Sequence, residues 1–162
     1  MSGSAPPPPD DEAERKRARR RAWNVGFSEN VPHNRALGLV VVDIGDGAAL
    51  IRLPYDPRLV GNPETGVLHG GPITALLDAC SGAAVFAALE RMQPIATLDL
   101  RIDYLRPAEP GRDVTARATC YHTSKNVGFT RAVAFHDRED EPIATSTGTF
   151  MLGTTAGGGK RP

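Results

Sequence analysis

The chain has 162 residues and a mass of 17.3 kDa, the size of one domain of about 100–200 residues. Hydrophobic residues make up 40% and charged residues 23%, proportions that exclude a disordered polyampholyte and an integral membrane protein. Lys+Arg and Asp+Glu number 19 each, so the formal charge of +0 offers no basic field to a phosphate backbone, and no nucleic-acid partner is expected.

The opening MSGSAPPPP holds four consecutive prolines and no apolar period, and residues 1–14 are expected to form a disordered Pro-rich and acidic tail. Asp10, Asp11, Glu12 and Glu14 precede a basic block from Arg15 to Arg21, the order that a helix macrodipole favours. A solvated helix running into Trp23, then a linker, is expected over 15–34. Leu37–Ile44 and Ala48–Leu53 are apolar or β-branched runs separated by Gly45-Asp46-Gly47, which is hairpin-turn chemistry. A Pro/Gly/Asn-rich loop leads to an Ala- and Leu-rich segment from Gly70 to about Met92, the one long helix. Four more strands are expected over Ile95–Leu105, Val114–His122, Gly128–His136 and Pro142–Leu152. Polar and apolar residues alternate at every step of Thr97–Leu105, which predicts one buried face and one polar face shared by Thr97, Asp99 and Asp103. The pattern predicts an α+β domain with an antiparallel sheet over 35–152 and a Gly-rich tail over 153–162.

Cys80 and Cys120 match neither a disulfide framework nor a zinc site, and no metal-ligand spacing links the histidines. No apolar run approaches the ~18 residues of a membrane span, and the N-terminus lacks a secretory signal. No metal, no membrane partner and a reducing, cytoplasmic setting are expected.

The long helix is apolar nearly all round. Ile73, Leu76, Leu77, Cys80, Ala84 and Ala87 share one face, while Ala75, Gly82, Phe86 and Leu89 occupy the other. A domain of this size does not easily enclose such a helix alone, so a homo-oligomer is expected. Its polar side chains up to Leu89, Thr74, Asp78 and Ser81, form one stripe, either a narrow wet edge or a functional one. At its entrance His69-Gly70-Gly71-Pro72 joins a loop to a helix start, where free N–H groups polarise a carbonyl or bind an anion.

Asn62, Gly66-Val67-Leu68-His69-Gly70-Gly71, Asp78, the run Thr97–Ala108, Gly111, Ile143-Ala144 and Gly148-Thr149-Phe150 together resemble the hotdog-fold acyl-CoA thioesterases, in particular the phenylacetate-pathway (PaaI-like) branch. The resemblance covers residues 35–152. It implies a long central helix wrapped by a curved antiparallel sheet, dimers or dimers of dimers with sites between subunits, and hydrolysis of an acyl-CoA to free acid and coenzyme A. Coenzyme A is then part of the substrate, and no cofactor is implied. It further implies that the Gly70 N–H polarises the thioester carbonyl and that Asp78, from the other subunit, acts as general base or nucleophile. Asn62 would place the carbonyl or the water, although Pro63 sets it one residue further from His69 than is usual. Thr97 would orient the water.

His69, which shapes the loop, Gly71 and Tyr104 are assigned to the substrate, and Asp99 is assigned there too as a residue that either lines the pocket or faces solvent. His122-Thr123-Ser124-Lys125-Asn126-Val127 would lie where relatives hold the pantetheine and nucleotide, with Lys125 and Arg106 available to phosphate. Two other functions use this fold: acyl-CoA binding without turnover, and a dehydratase or hydratase with an Asp/His pair on a different loop and helix.

Overall fold

The computed structural model describes residues 11–153; the expectations for residues 1–10 and 154–162 lie outside the described residues. Helix α1 (Asp11–Trp23) takes in residues 11–14, which the sequence pattern assigns to the tail, and ends with Arg20 and Arg21 at its negative pole. Its last residue anchors it: the Trp23 ring meets Phe27 edge-on at 6.0 Å and Phe86 at 6.1 Å. A π-helical turn (Asn24–Glu29) and a short α2 (Pro32–Leu37) follow, with Pro32 in the first turn. Gly38, at φ +68°, caps α2 in the left-handed conformation, so the strand expected from Leu37 starts only at Val40.

Strands β1 (Val40–Gly45) and β2 (Ala48–Leu53) form the expected hairpin, with Asp46 and Gly47 both at positive φ as a tight two-residue turn requires. The loop beyond carries a single 3-10 turn (Pro57–Leu59) and a small antiparallel pair, β3 (Val60–Asn62) with β4 (Val67–Leu68). Helix α3 (Gly70–Ala88) stops short of Met92 because Leu89 turns extended and the Gly47 N–H of the β1–β2 turn donates to the Ala87 carbonyl (3.3 Å). Strands β5 (Ile95–Tyr104), β6 (Val114–Thr123), β7 (Val127–Phe135) and β8 (Ala144–Leu152) complete an antiparallel sheet of order β1-β2-β6-β7-β8-β5. The fold is α+β, as the sequence pattern predicts.

Helix α3 lies on one face of this sheet, and the core is packed between them: Ile51, Leu53, Leu76, Leu77, Cys80 and Val114 are fully buried. By length and apolar composition α3 is long enough to cross a membrane, contrary to the expectation that no run approaches that length; its burial against the sheet makes it a core helix instead.

The polar stripe of α3 does not stay together. Thr74 is exposed and Asp78 half-buried, but Ser81 is completely buried and its hydroxyl has no partner among the described residues.

Strand β5 departs most from the sequence pattern. It is an edge strand, and most of its side chains on both faces are exposed, including Leu98 at 51% and Tyr104 at 48%. A bulge at Leu98 also breaks its alternation, because Thr97 pairs with Phe150 while Asp99 pairs with the next residue back, Thr149. Thr97 therefore faces α3 with buried Phe150. Asp99 and Asp103, opposite Thr149 and Thr145, point from the outer face of the sheet, so the expectation that they share a face with Thr97 is corrected.

Candidate active site

The start of α3 is fixed from three sides. His69 is its N-cap, its ring Nδ1 accepting the Gly71 N–H (2.9 Å), and the His69 N–H donates to the Leu59 carbonyl (2.9 Å). The Tyr104 hydroxyl at the end of β5 donates to the Gly70 carbonyl (2.7 Å) and lies 2.9 Å from Thr74 Oγ1. The peptide between Gly70 and Gly71 is thus held at both its carbonyl and its N–H. The Gly70 N–H opens the helix, where the first turn has no intrahelical acceptor. It is the donor this arrangement leaves for a ligand, whereas that of Gly71 is occupied by His69.

Gly70 stands at a cavity of about 270 Å³ shared with Leu68, Ile73, Tyr104, Leu105 and Arg106. The loop behind it is braced by charge: Arg112 pairs with Glu109 and Asp137 and holds the Glu109 carboxyl below its ordinary range. Arg106 is committed to the Glu141 carbonyl (2.6 Å) and to Glu109. His136 is buried and structural: its Nε2 accepts the Glu109 N–H (2.9 Å) and its Nδ1 lies 2.7 Å from the Asp113 carbonyl.

Asp78 lies two turns further along α3. Its Oδ1 accepts a hydrogen bond from Thr97 Oγ1 (2.9 Å) across the gap to β5, a contact the Leu98 bulge makes possible by keeping Thr97 on the helix side. This pair borders a second cavity of about 270 Å³, walled by α3, Ile95, Phe150 and the segment before β1. Residues 27–34 of that segment, which the sequence pattern treats as a linker, supply Phe27, Val31, His33 and Asn34 to the wall. Nothing in their order marks them; only the Pro32 helix start is legible.

Within one chain the other expected site residues are spread out. Asn62 ends β3 opposite Val67, its side-chain oxygen capping the β3–β4 turn through the Glu64 N–H (3.0 Å), so its amide NH2 is the end left for a ligand, while the preceding Gly61 lies against His69. His122–Val127 form the exposed β6–β7 turn, closed by Ser124 and Val127 (2.8 Å). This turn borders the far end of α3: a Cβ at Gly128 would come within 3.2 Å of Val85. His122 stacks on Phe129 at 5.7 Å on the sheet's outer face, toward Asp99 rather than Asp78. Gly70 and Asp78 are themselves eight residues apart on α3, about 12 Å of helix rise at 1.5 Å per residue. One chain does not bring them to a single carbonyl.

The thioesterase superfamily profile matches residues 65–143, from the turn before the HGG motif to the start of β8. Over 140 residues the chain is 31% identical to the medium/long-chain acyl-CoA thioesterase YigI of Escherichia coli, covering 78% of this chain and 89% of that protein. The chain belongs to the thioesterase superfamily. A crystal structure of a Pseudomonas aeruginosa protein superposes with a TM-score of 0.71 at 43% identity, over 82% of this chain and 94% of that one. A mutant of the phenylacetic acid degradation protein PaaI from Thermus thermophilus gives 0.65 at 28% identity, over 74% and 97%. This thioesterase-superfamily chain thus has the hotdog fold, α3 being the central helix and the six-stranded sheet its wrapping.

Proposed function

We propose that the protein hydrolyses acyl-CoA thioesters in sites shared by two subunits, with Asp78 of one subunit and the Gly70 N–H of the other at the same thioester. The observation that carries this reading is the separation of the two groups: an oxyanion donor and a tethered carboxylate at different cavities, about 12 Å of helix rise apart. Hydrolysis needs both within ~3 Å of one carbonyl group, which a second copy of α3 supplies. The open edge of β5, with Leu98 and Leu105 51% and 57% exposed, supports pairing with that copy.

In the reaction Thr97 fixes Asp78 through Oδ1 and leaves Oδ2 toward the substrate. As general base, Asp78 takes a proton from water while the water oxygen adds to the carbonyl carbon, and the Gly70 N–H stabilises the negative carbonyl oxygen. Collapse breaks the C–S bond, and the coenzyme A thiolate takes the proton back from the Asp78 carboxyl. As nucleophile, an Asp78 carboxylate oxygen would add to the carbonyl carbon and expel the coenzyme A thiolate, which takes a proton from water, leaving an anhydride that water opens to the free acid and the Asp78 carboxylate. Asn62 assists at the carbonyl or the water, and Asp99 and the 122–127 turn meet the coenzyme A portion from neighbouring subunits, with Lys125 for phosphate. The two free thiols suit the reducing cytoplasm.

Incubating the protein with a panel of acyl-CoA and enoyl-CoA substrates tests this. Thiol release from the wild type that Asp78→Asn lowers by roughly 10²-fold or more supports hydrolysis through Asp78. Binding without release would make it an acyl-CoA-binding protein, and hydration of an enoyl-CoA without release a hydratase.

A further inference from the structure

The cavity beside Asp78 is apolar apart from its rim. Along α3 its floor is formed by Ala75, Ala79 and Gly82, and Ile95 and Phe150 close its end. Phe27 and Val31 form the opposite wall, in a segment that precedes the residues matched by the thioesterase profile. That wall is tethered: buried Asn34 donates to the Phe27 carbonyl (2.9 Å), Trp23 packs on the Phe27 ring, and Asn24 exchanges two 2.8 Å hydrogen bonds with the Val41 backbone.

Gly82 is the telling residue. It is buried in the middle of a helix, where glycine is disfavoured, and its backbone has no conformation that requires it. A Cβ there would lie 3.6 Å from Phe150 and 3.7 Å from Ile95, ordinary contact distances, so the packing has room for alanine. What the missing methyl leaves is space at the closed end of this cavity.

We propose that the cavity receives the acyl chain, and that Gly82 and Phe27 set its length: Gly82 by leaving the end of the cavity deep, Phe27 by closing its side. This rests on Asp78 acting at the thioester carbon, since the chain attached to that carbon must then start at the cavity's rim, with the coenzyme A leaving in the opposite direction, away from the cavity. The substrate is therefore an acyl thioester whose apolar chain runs from Asp78 toward Gly82. Each methylene buried raises kcat/KM by about fourfold until the cavity is full.

The test is kcat/KM for straight-chain acyl-CoA substrates from four to sixteen carbons, read by thiol release, with wild type, Gly82→Ala and Phe27→Ala. Thermal unfolding first establishes that each variant is folded; Gly82→Ala is expected to melt no lower than wild type. For Gly82→Ala the ten-carbon to four-carbon ratio should fall by about fourfold or more and the optimum shorten by one or two carbons. For Phe27→Ala the optimum should lengthen. A wild-type profile that is flat with chain length, or variants that lower all substrates by one common factor, would overturn the assignment while leaving thioester hydrolysis standing. A wild type that hydrolyses none of the series overturns the proposed function and this inference with it. Should Phe27→Ala fail to fold, the Gly82→Ala ratio alone decides.

Discussion

Replacing Tyr104 with phenylalanine removes one oxygen and leaves the ring in place. That oxygen donates its hydrogen to the Gly70 carbonyl at 2.7 Å, so the Thr74 hydroxyl, 2.9 Å away, donates to Tyr104 in turn. Each bond contributes ~0.5–1.5 kcal/mol net, and because Tyr104 is 48% exposed the low end applies to both, about 1 kcal/mol together. For a domain of this size that lowers Tm by about 2–4 °C. The catalytic effect is expected to exceed the effect on stability. With the Tyr104 bond to the Gly70 carbonyl lost, the first turn of α3 keeps the His69 ring cap and the His69–Leu59 bond, and the Gly70 N–H is no longer aimed before the reaction. Loss of such aim is expected to lower kcat by about tenfold while KM changes by less than about threefold. Thermal unfolding and steady-state hydrolysis of the best acyl-CoA measure the two effects. A Tyr104→Phe protein that equals the wild type in both would show that something other than this hydroxyl holds the oxyanion donor in place.

Thr97→Val should lower kcat by about tenfold, and Thr97→Ser should restore most of it, since only the hydroxyl that fixes Asp78 Oδ1 is at stake; kcat at saturating substrate reads this. Asn24→Ala should cost about 1–3 kcal/mol in denaturant unfolding, because the edge strand β1 loses both backbone partners at Val41. Burial pushes the Cys80 thiol up to about 12, so in the folded protein at pH 8 a thiol reagent should modify Cys120 and leave Cys80 untouched until unfolding. The sign of the linkage follows: the unfolded thiol ionises near its ordinary 9.0 and the folded one near 12, so Cys80 lowers stability as pH rises above about 9 and has no such effect below it.

The elements of this fold are legible wherever one residue pattern decides them. The Asp46-Gly47 turn, the Ala-rich helix entered through His69-Gly70-Gly71-Pro72, and the β-branched runs of β6, β7 and β8 all form where the chain's local chemistry puts them. The failures are non-local. The face on which Asp99 points depends on a bulge at Leu98 set by pairing with β8, and no alternation pattern contains it. Leu37 reads as strand until Gly38 is seen to cap a helix that only Pro32 announces. The helix ends at Ala88 because a turn some forty residues earlier meets it there, a contact invisible to composition. In the candidate site, Asp78, Thr97 and Gly70 stand out as a lone carboxylate in an apolar helix, a strand hydroxyl and a helix-entry glycine. Phe27 and Val31 do not, since a cavity wall has no period and no required chemistry beyond being apolar.

Whether Asp78 and Gly70 of different subunits serve one thioester is tested most directly by subunit complementation. Asp78→Asn and Gly70→Ala proteins should each be nearly inactive, the second because its added methyl crowds the Tyr104 hydroxyl at 3.1 Å and displaces the amide. When the two are unfolded, mixed in equal amounts and refolded together, half of the dimers are mixed, and each mixed dimer holds one site with an intact Asp78 and an intact Gly70. Thiol release should return to about one quarter of the wild-type rate under twofold symmetry. A mixture that stays as inactive as its parts, although both chains are folded and associated, would contradict a shared site.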